Sequence, residues 1–291
     1  MAEFVQLLIS GLATGAIYAL AAIGFSLLWQ TSQTINFAQG EFVMLPAFFM
    51  LSGAQLGLPF IVSFALALVL AALLLGITFK RIIVDPMIRH GVLPIVVATI
   101  ALGLFLKEGT KIVYGAEALP FPDPLPSGTW TIGGVTVSVH DGAVLLIVLV
   151  MVTVLQLFLS RTLTGRSMQA VAQNPETAFI LGIPVRRMIL YTFLINSALV
   201  SIAALLISPV YLAKFDNGES IGLIAFIAAI VGGFNQMRGA LVGGLLIGVV
   251  DILSEAYVSD VYQNGVSLML LILVILIRPQ GLLGRATERT V

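Results

Sequence analysis

Few side chains in this sequence are equipped for chemistry, and most of them stand alone in apolar surroundings. Asp251 and Glu255 are four residues apart, which puts both carboxylates on one helix face. Inside a membrane such a pair could relay protons. Asn36, Gln39 and Glu41 interrupt one apolar stretch, and Asn196 and Ser197 interrupt another. Polar groups in such places either face a path for a small polar solute, or sit at a membrane edge where they cap a helix and fix its packing. The residues leave both readings open. His90 and His140 are the only histidines, they lie in different loops, and cysteine is absent. That leaves no metal-ligand cluster, no disulfide and no serine triad, so no catalytic residue is assigned and no metal is expected. No G-x-x-x-x-G-K-[ST] occurs, so the chain has no nucleotide loop of its own.

A further polar stretch lies between Leu159 and Met188, reading SRTLTGRSMQAVAQNPETAFILGIPVRR. It carries four arginines, Arg166 among them, and a single acid, Glu176. Asn174-Pro175-Glu176 has the order of a helix start: a capping amide, proline at the first position, an acid in the first turn. Gly182 before Ile183-Pro184 stops that helix after about two turns. So short a helix is not stable alone in water and needs a surface to dock on. Ala178, Phe179, Ile180 and Leu181 supply an apolar side for docking. An ordinary loop whose arginines only set topology is the competing reading.

The elements that position these groups are membrane spans. Of 291 residues, 59% are hydrophobic and only 10% charged, with mean hydropathy +1.10. A soluble domain is about a quarter charged. The 14 basic and 14 acidic residues cancel, which points to no nucleic-acid partner. A crossing helix needs about 20 apolar residues. Nine runs qualify or come close: 4–29, 42–56, 59–79, 93–113, 143–159, 188–212, 221–234, 240–258 and 261–277. Those at 42 and 221 are short enough to be broken or re-entrant. The expected fold is an all-α integral membrane protein, a polytopic bundle of about eight to nine spans forming one domain over 1–291. The start, MAEF, lacks a basic stretch, so the first run is read as retained.

Charge sets the orientation. With the N-terminus outside and nine crossings, eleven Lys and Arg fall inside, from Lys80 and Arg81 to Arg289, against Lys107, Lys111 and Lys214 outside. The C-terminus is then cytoplasmic, the loop at about 116–141 external, and that at about 160–188 cytoplasmic. Pro120, Pro122, Pro124 and Pro126 make the start of the external loop extended, and TWTI-GG-VTVSV alternates like a small β-hairpin. Counted from Arg238 at about 1.5 Å per residue, Asp251 and Glu255 lie high in the span. They are read as interfacial or as a surface for an external protein, and Lys107 and Glu108 likewise. No span carries an acid–base pair at mid-membrane, which disfavours a proton-coupled carrier. A channel would leave the polar loop without a purpose.

GLATGAIYALAAIGFSLLWQTSQTINFAQGEFVML, starting at Gly11, resembles the N-terminal pattern of branched-chain amino acid ABC-transporter permeases, in which a Gly-rich first span leads to an Asn-Phe-Ala-His-Gly-Glu-like motif. GRSMQAVAQNPETAFILGI, IVGGFNQMRGALVGGLLIGVVD and IRPQGLLG also resemble that family, in the right order along nearly the whole chain. The length and short N-terminus are similar to the smaller of its two permease subunits. Within the loop, Glu176, Ala178 and Gly182 match the spacing of the Glu-Ala-Ala…Gly coupling motif of ABC importers, with Thr177 replacing the middle alanine. Gln39 stands where the family usually has His, and Pro46 where Gly is common. The resemblance implies a bacterial inner-membrane permease that carries a branched-chain or other small neutral amino acid, an amide or urea. It implies a second permease, two cytoplasmic ATPases that hydrolyse ATP, and an external solute-binding protein, with no cofactor on this chain. Arg166, Asn174, Pro175, Glu176, Ala178, Phe179, Leu181 and Gly182 would then couple to the ATPases. Asn36, Gln39, Glu41 and Asn196 are candidates for the pathway or gate. Three pairs at four-residue spacing would let helices approach closely: Gly11 with Gly15, Gly239 with Gly243, and Gly244 with Gly248.

Overall fold

The computed structural model describes residues 2–87, 90–125, 128–132, 135–259 and 262–284. Helices follow the apolar runs: α1 (Ala2–Ser32), α2 (Gln39–Gln55), α3 (Phe60–Ala71), α4 (Asp85–Met87), α5 (Val92–Tyr114), α6 (Val139–Arg161), α7 (Leu163–Gln173), α8 (Pro175–Ile180), α9 (Val185–Tyr211), α10 (Asn217–Gly232), α11 (Met237–Tyr257) and α12 (Gln263–Ile277). Two π-helical stretches, Ala72–Thr78 and Lys80–Val84, join α3 to α4, so Phe60–Met87 is one continuous 28-residue span. Among the described residues, six helices are long and apolar enough to cross a membrane. The remaining three apolar runs form the shorter helices α2, α10 and α12, of 17, 16 and 15 residues. The chain is therefore a multi-pass helical membrane protein.

A small antiparallel pair, β1 (Thr129–Ile132) and β2 (Val135–Ser138), precedes α6, with Thr129 opposite Ser138 and Ile132 opposite Val135. Its turn at Gly133-Gly134 lies outside the described residues, as do Pro126, Arg89, Arg285 and Arg289. The proline stretch after α5 is non-helical, and Leu119 exchanges two 2.9 Å main-chain hydrogen bonds with Ala213.

The chain forms two compact units. The first comprises residues 1–26, 125–148 and 223–291. Its centre is glycine-lined, because close backbone approach is how helices gain contact where lipid supplies no hydrophobic drive. The two glycine pairs of α11 serve different neighbours and do not extend one common face. Gly244 and Gly248 turn to α1. A Cβ at Gly244 would stand 2.5 Å from Cα of Ala19, and one at Gly248 would stand 2.6 Å from the Gly11 carbonyl and overlap Gly15. From the other side, a Cβ at Gly11 would meet Cα of Val249 at 2.8 Å, and one at Gly15 the Gly244 carbonyl at 2.7 Å. So α1 and α11 touch main chain to main chain. Gly239 and Gly243 turn to α10. A Cβ at Gly239 would stand 2.5 Å from the Gly232 carbonyl, and one at Gly243 would overlap the Ala228 carbonyl and stand 2.7 Å from Gly232 N. Phe25, Phe226 and Phe234 pack with centroids 5.6–6.5 Å apart. Asp251 is fully buried and accepts a 3.1 Å hydrogen bond from Tyr18 Oη, so its carboxylate is a packing contact within the unit and offers no surface to an external protein. Glu255 is exposed, so the two carboxylates are no buried pair.

The second unit comprises residues 27–124 and 149–222. α9 is its axis, burying Phe193, Asn196, Val200 and Leu206. The π-helical stretch passes α9 at Gly76, where a Cβ would meet Leu194 at 3.0 Å. Phe79 stacks between Phe42 (5.0 Å, edge-on) and Phe193 (5.7 Å). Outward, α5 shows Val97, Leu104 and Ile112, the aliphatic surface that a bilayer solvates.

Candidate functional site

Two places in the second unit gather the polar residues singled out in the sequence. The first is the break between α1 and α2. Its cause is local: Gln30-Thr31-Ser32-Gln33-Thr34 is a run whose hydroxyls compete for main-chain groups. Thr31 and Ser32 donate back to the carbonyls of Leu27 and Leu28 at 2.9 and 2.6 Å, and Gln33 turns to φ +53°. Asn36 then starts the next helix, its Oδ1 accepting from the Ala38 amide at 3.1 Å in an Asx-type turn. Phe37 N donates to Thr99 Oγ1 of α5 at 3.2 Å.

Gln39 and Asn196 exchange amide hydrogen bonds. Gln39 Nε2 donates to Asn196 Oδ1 at 2.7 Å, and Asn196 Nδ2 returns a 3.1 Å bond to Gln39 Oε1. Asn36 Nδ2 adds a 3.4 Å contact to the same oxygen. Both paired side chains are fully buried. Each amide answers the other, so a single Gln39→Leu change is expected to destabilise by about 1–3 kcal/mol through the orphaned Asn196. The double variant Gln39→Leu/Asn196→Leu is expected to recover most of that loss. Thermal unfolding of the four variants in detergent checks the cycle; additive losses would refute the coupling.

Glu41 lies one turn into this site. Its carboxylate oxygen is 3.3 Å from where a Cβ of Gly103 would stand. Gly103 is eleven residues from either end of Val92–Tyr114, so Glu41 packs against the middle of α5. One turn along α5, Lys107 Nζ pairs with Glu219 at 2.6 Å. The structure brings Glu41, Lys107 and Glu219 near one another from α2, α5 and α10, with the Lys107–Glu219 pair at the exposed end, which no local spacing could reveal.

The second place is the loop of α7 and α8. Thr162 caps α7, its Oγ1 accepting from Gly165 N at 2.9 Å, while Gly165 lets α7 lie against the Phe158 carbonyl. α7 buries Met168 and Val171 and leaves Arg166 exposed. The sequence reading gives this stretch helix-forming residues but no start; Thr162 before Leu163 is the signal that marks one. Asn174 Oδ1 caps α8 by accepting from Thr177 N at 2.9 Å, with Pro175 at the first position and Glu176 in the first turn. The helix closes in a Schellman arrangement: Gly182, at φ +80°, donates to Phe179 O, and Ile183 N to Ala178 O, both at 3.0 Å. Ala178 points inward, 2% exposed, whereas Phe179, Ile180 and Leu181 are 73–82% exposed. Between α8 and Pro184–Arg187 lies a groove of about 750 Å³, flanked by Arg186 and Arg187. Among the described residues no group of three or more His, Asp or Glu lies together.

Residues 7–275 match the family described as branched-chain amino acid transport system / permease component. The chain is 29% identical to the high-affinity branched-chain amino acid transport system permease protein LivH of Escherichia coli (strain K12), over 97% of this chain and 96% of that one. It is 31% identical, with the same coverage, to the corresponding protein BraD of Pseudomonas aeruginosa. A probable branched-chain amino acid transport permease protein LivH of Methanocaldococcus jannaschii is 28% identical over 91% of this chain and 88% of its own. Among solved structures, a chain of PsaBC from Streptococcus pneumoniae in complex with Fab matches with TM-score 0.51 and 14% identity, covering 96% of both chains. That likeness is one of fold.

Proposed function

Because this chain belongs to the branched-chain amino acid transport permease family, we propose that it is the permease subunit of an ABC importer for a branched-chain or other small neutral amino acid. The observation that carries the reading is the full-length match to amino-acid permeases in a chain whose helices are apolar and span-length. The 291 residues act as one permease domain in the inner membrane, with the C-terminus cytoplasmic and the N-terminus external. A second permease, two ATPases and an external solute-binding protein complete the machine, and ATP is hydrolysed by the partners. Nine crossings, three of them by short helices, are consistent with the charge bias.

α8 is the coupling helix. Its exposed Phe179, Ile180 and Leu181 and the groove beside them suit a partner's apolar cleft, and Arg166, Arg186 and Arg187 suit that cleft's acidic rim. Motion of the ATPases passes through α8 and α7 to α9, and alternating access follows. Asn36, Gln39, Glu41 and Asn196 are the pathway residues. Gly239 and Gly243 on one side of α11, and Gly244 and Gly248 on the other, let helices slide as packed blocks.

The test is uptake of leucine into proteoliposomes holding the permease with its partner subunits. Uptake is expected to require both ATP and the binding protein. Uptake that needs neither would replace this reading with a secondary carrier or a channel.

A further inference from the structure

Glu41 carries a charge that the fold does not answer. It is 7% exposed, near the midpoint of α5. Among the described residues no Lys, Arg or His lies within ion-pair distance of it. An ionisable group at this depth is expensive, and its place is explained by a function and a partner.

A partner stands within one turn, held elsewhere. Lys107 is four residues beyond Gly103 on the same face of α5, about 6 Å along the axis. It is tied at 2.6 Å to Glu219, whose side chain is 71% exposed. The cation thus makes its ion pair with an exposed acid and none with the buried one. Gly103 of α5 faces the Glu41 carboxylate, while Gly218 and Gly222 of α10 pack against the main chain of Gly40 and Glu41.

A buried anion with a cation one turn away is the complement of a zwitterion, which carries ammonium and carboxylate on a single carbon. We propose that Glu41 and Lys107 form the transit site for an α-amino acid in this permease. The substrate ammonium pairs with Glu41, and its carboxylate draws Lys107 from Glu219. Without substrate, Lys107 returns to Glu219. No covalent step is involved. This assignment rests on the amino-acid reading above. A purely structural Glu41 would instead be a counter-charge for the first turn of α2.

The experiment measures leucine imported per ATP hydrolysed by the reconstituted complex, with leucine supplied on its binding protein. Glu41→Gln keeps shape but cannot bind an ammonium as an ion pair; leucine per ATP is expected to fall at least about tenfold, the scale of a lost charge-assisted contact. Lys107→Gln is expected to do the same from the other end of the substrate. Glu219→Gln frees Lys107 to occupy Glu41, and is expected to lower the ratio a few fold. Lower thermal stability with an unchanged ratio in Glu41→Gln would overturn the site and support the helix-cap role. Should Glu41→Gln fail to assemble, Lys107→Gln decides alone, a wild-type ratio overturning the proposal. A wild-type complex that imports no amino acid at all would instead defeat the amino-acid reading, and this assignment with it.

Discussion

Serine at Phe179, Ile180 and Leu181 together is expected to cut ATP-driven uptake by about 100-fold or more, the scale of losing one or two interface hot spots. The permease itself is expected to insert and purify as before. These three side chains contribute little to their own fold, being 73–82% exposed, while Ala178 anchors the helix inward. The ends of α8 are fixed without them, by the Asn174 cap and by the bonds of Gly182 and Ile183 to Phe179 and Ala178 main-chain oxygens. What the triple change removes is apolar surface available to a partner. Glu176→Gln is expected to act more weakly, near 0.5 kcal/mol, because it alters only the interaction with the helix N-terminus. Gly182→Val is intermediate, since a β-branched residue at φ +80° costs about 1–2 kcal/mol. Co-purification of the ATPase subunits and ATP-dependent leucine uptake check the series. A triple variant that retains both would remove α8 from the coupling path.

α8 was legible in the sequence because everything that bounds it is local. A capping amide, a proline at the first position and a glycine at the close act within ten residues, and the structure has the helix at Pro175–Ile180. The spans were legible for the same kind of reason, since solvation by lipid demands apolar runs of a set length. Which runs cross fully was not legible. Among the described residues six helices reach span length, whereas α2, α10 and α12 fall short. The glycine spacing likewise announces close packing but not its direction: adjacent Gly243 and Gly244 meet α10 and α1 respectively.

The contacts that depend on tertiary pairing were not legible. Asp251 bonds Tyr18, 233 positions away, and neither segment announces the other. The polar break before Glu41 leaves a pathway role and an interfacial role both open in the sequence. The structure sets Glu41 against Gly103, and the chain between Gln33 and Ala38 makes no regular helix on the way there. Gln39 and Asn196 both stand out as polar interruptions, yet nothing in either segment announces that their amides bond to each other.

Gly40→Ala is expected to disable the permease more thoroughly than any single polar change in the site. A methyl at Gly40 would overlap the Gly218 carbonyl and stand 2.8 Å from Cα of Gly222, so it meets main chain and no side chain can rotate aside. The first turns of α2 and α10 must part. Overpacking of this kind costs about 1–3 kcal/mol where side chains can yield, and more is expected against backbone. The displacement also carries Glu41, the next residue, off Gly103 and pulls Glu219 relative to Lys107. Stability and transport are therefore expected to fall together, uptake by about 100-fold if the Glu41–Lys107 geometry is lost as a unit. Gly109→Ala supplies the contrast within α5: nothing lies within 4 Å of its added carbon and its φ is ordinary. That change is expected to be neutral or to stabilise by about 0.5–1 kcal/mol through helix propensity. Thermal unfolding in detergent and leucine uptake in proteoliposomes report the two quantities separately. A Gly40→Ala protein with wild-type stability would show that α2 and α10 do not meet main chain to main chain beside Glu41.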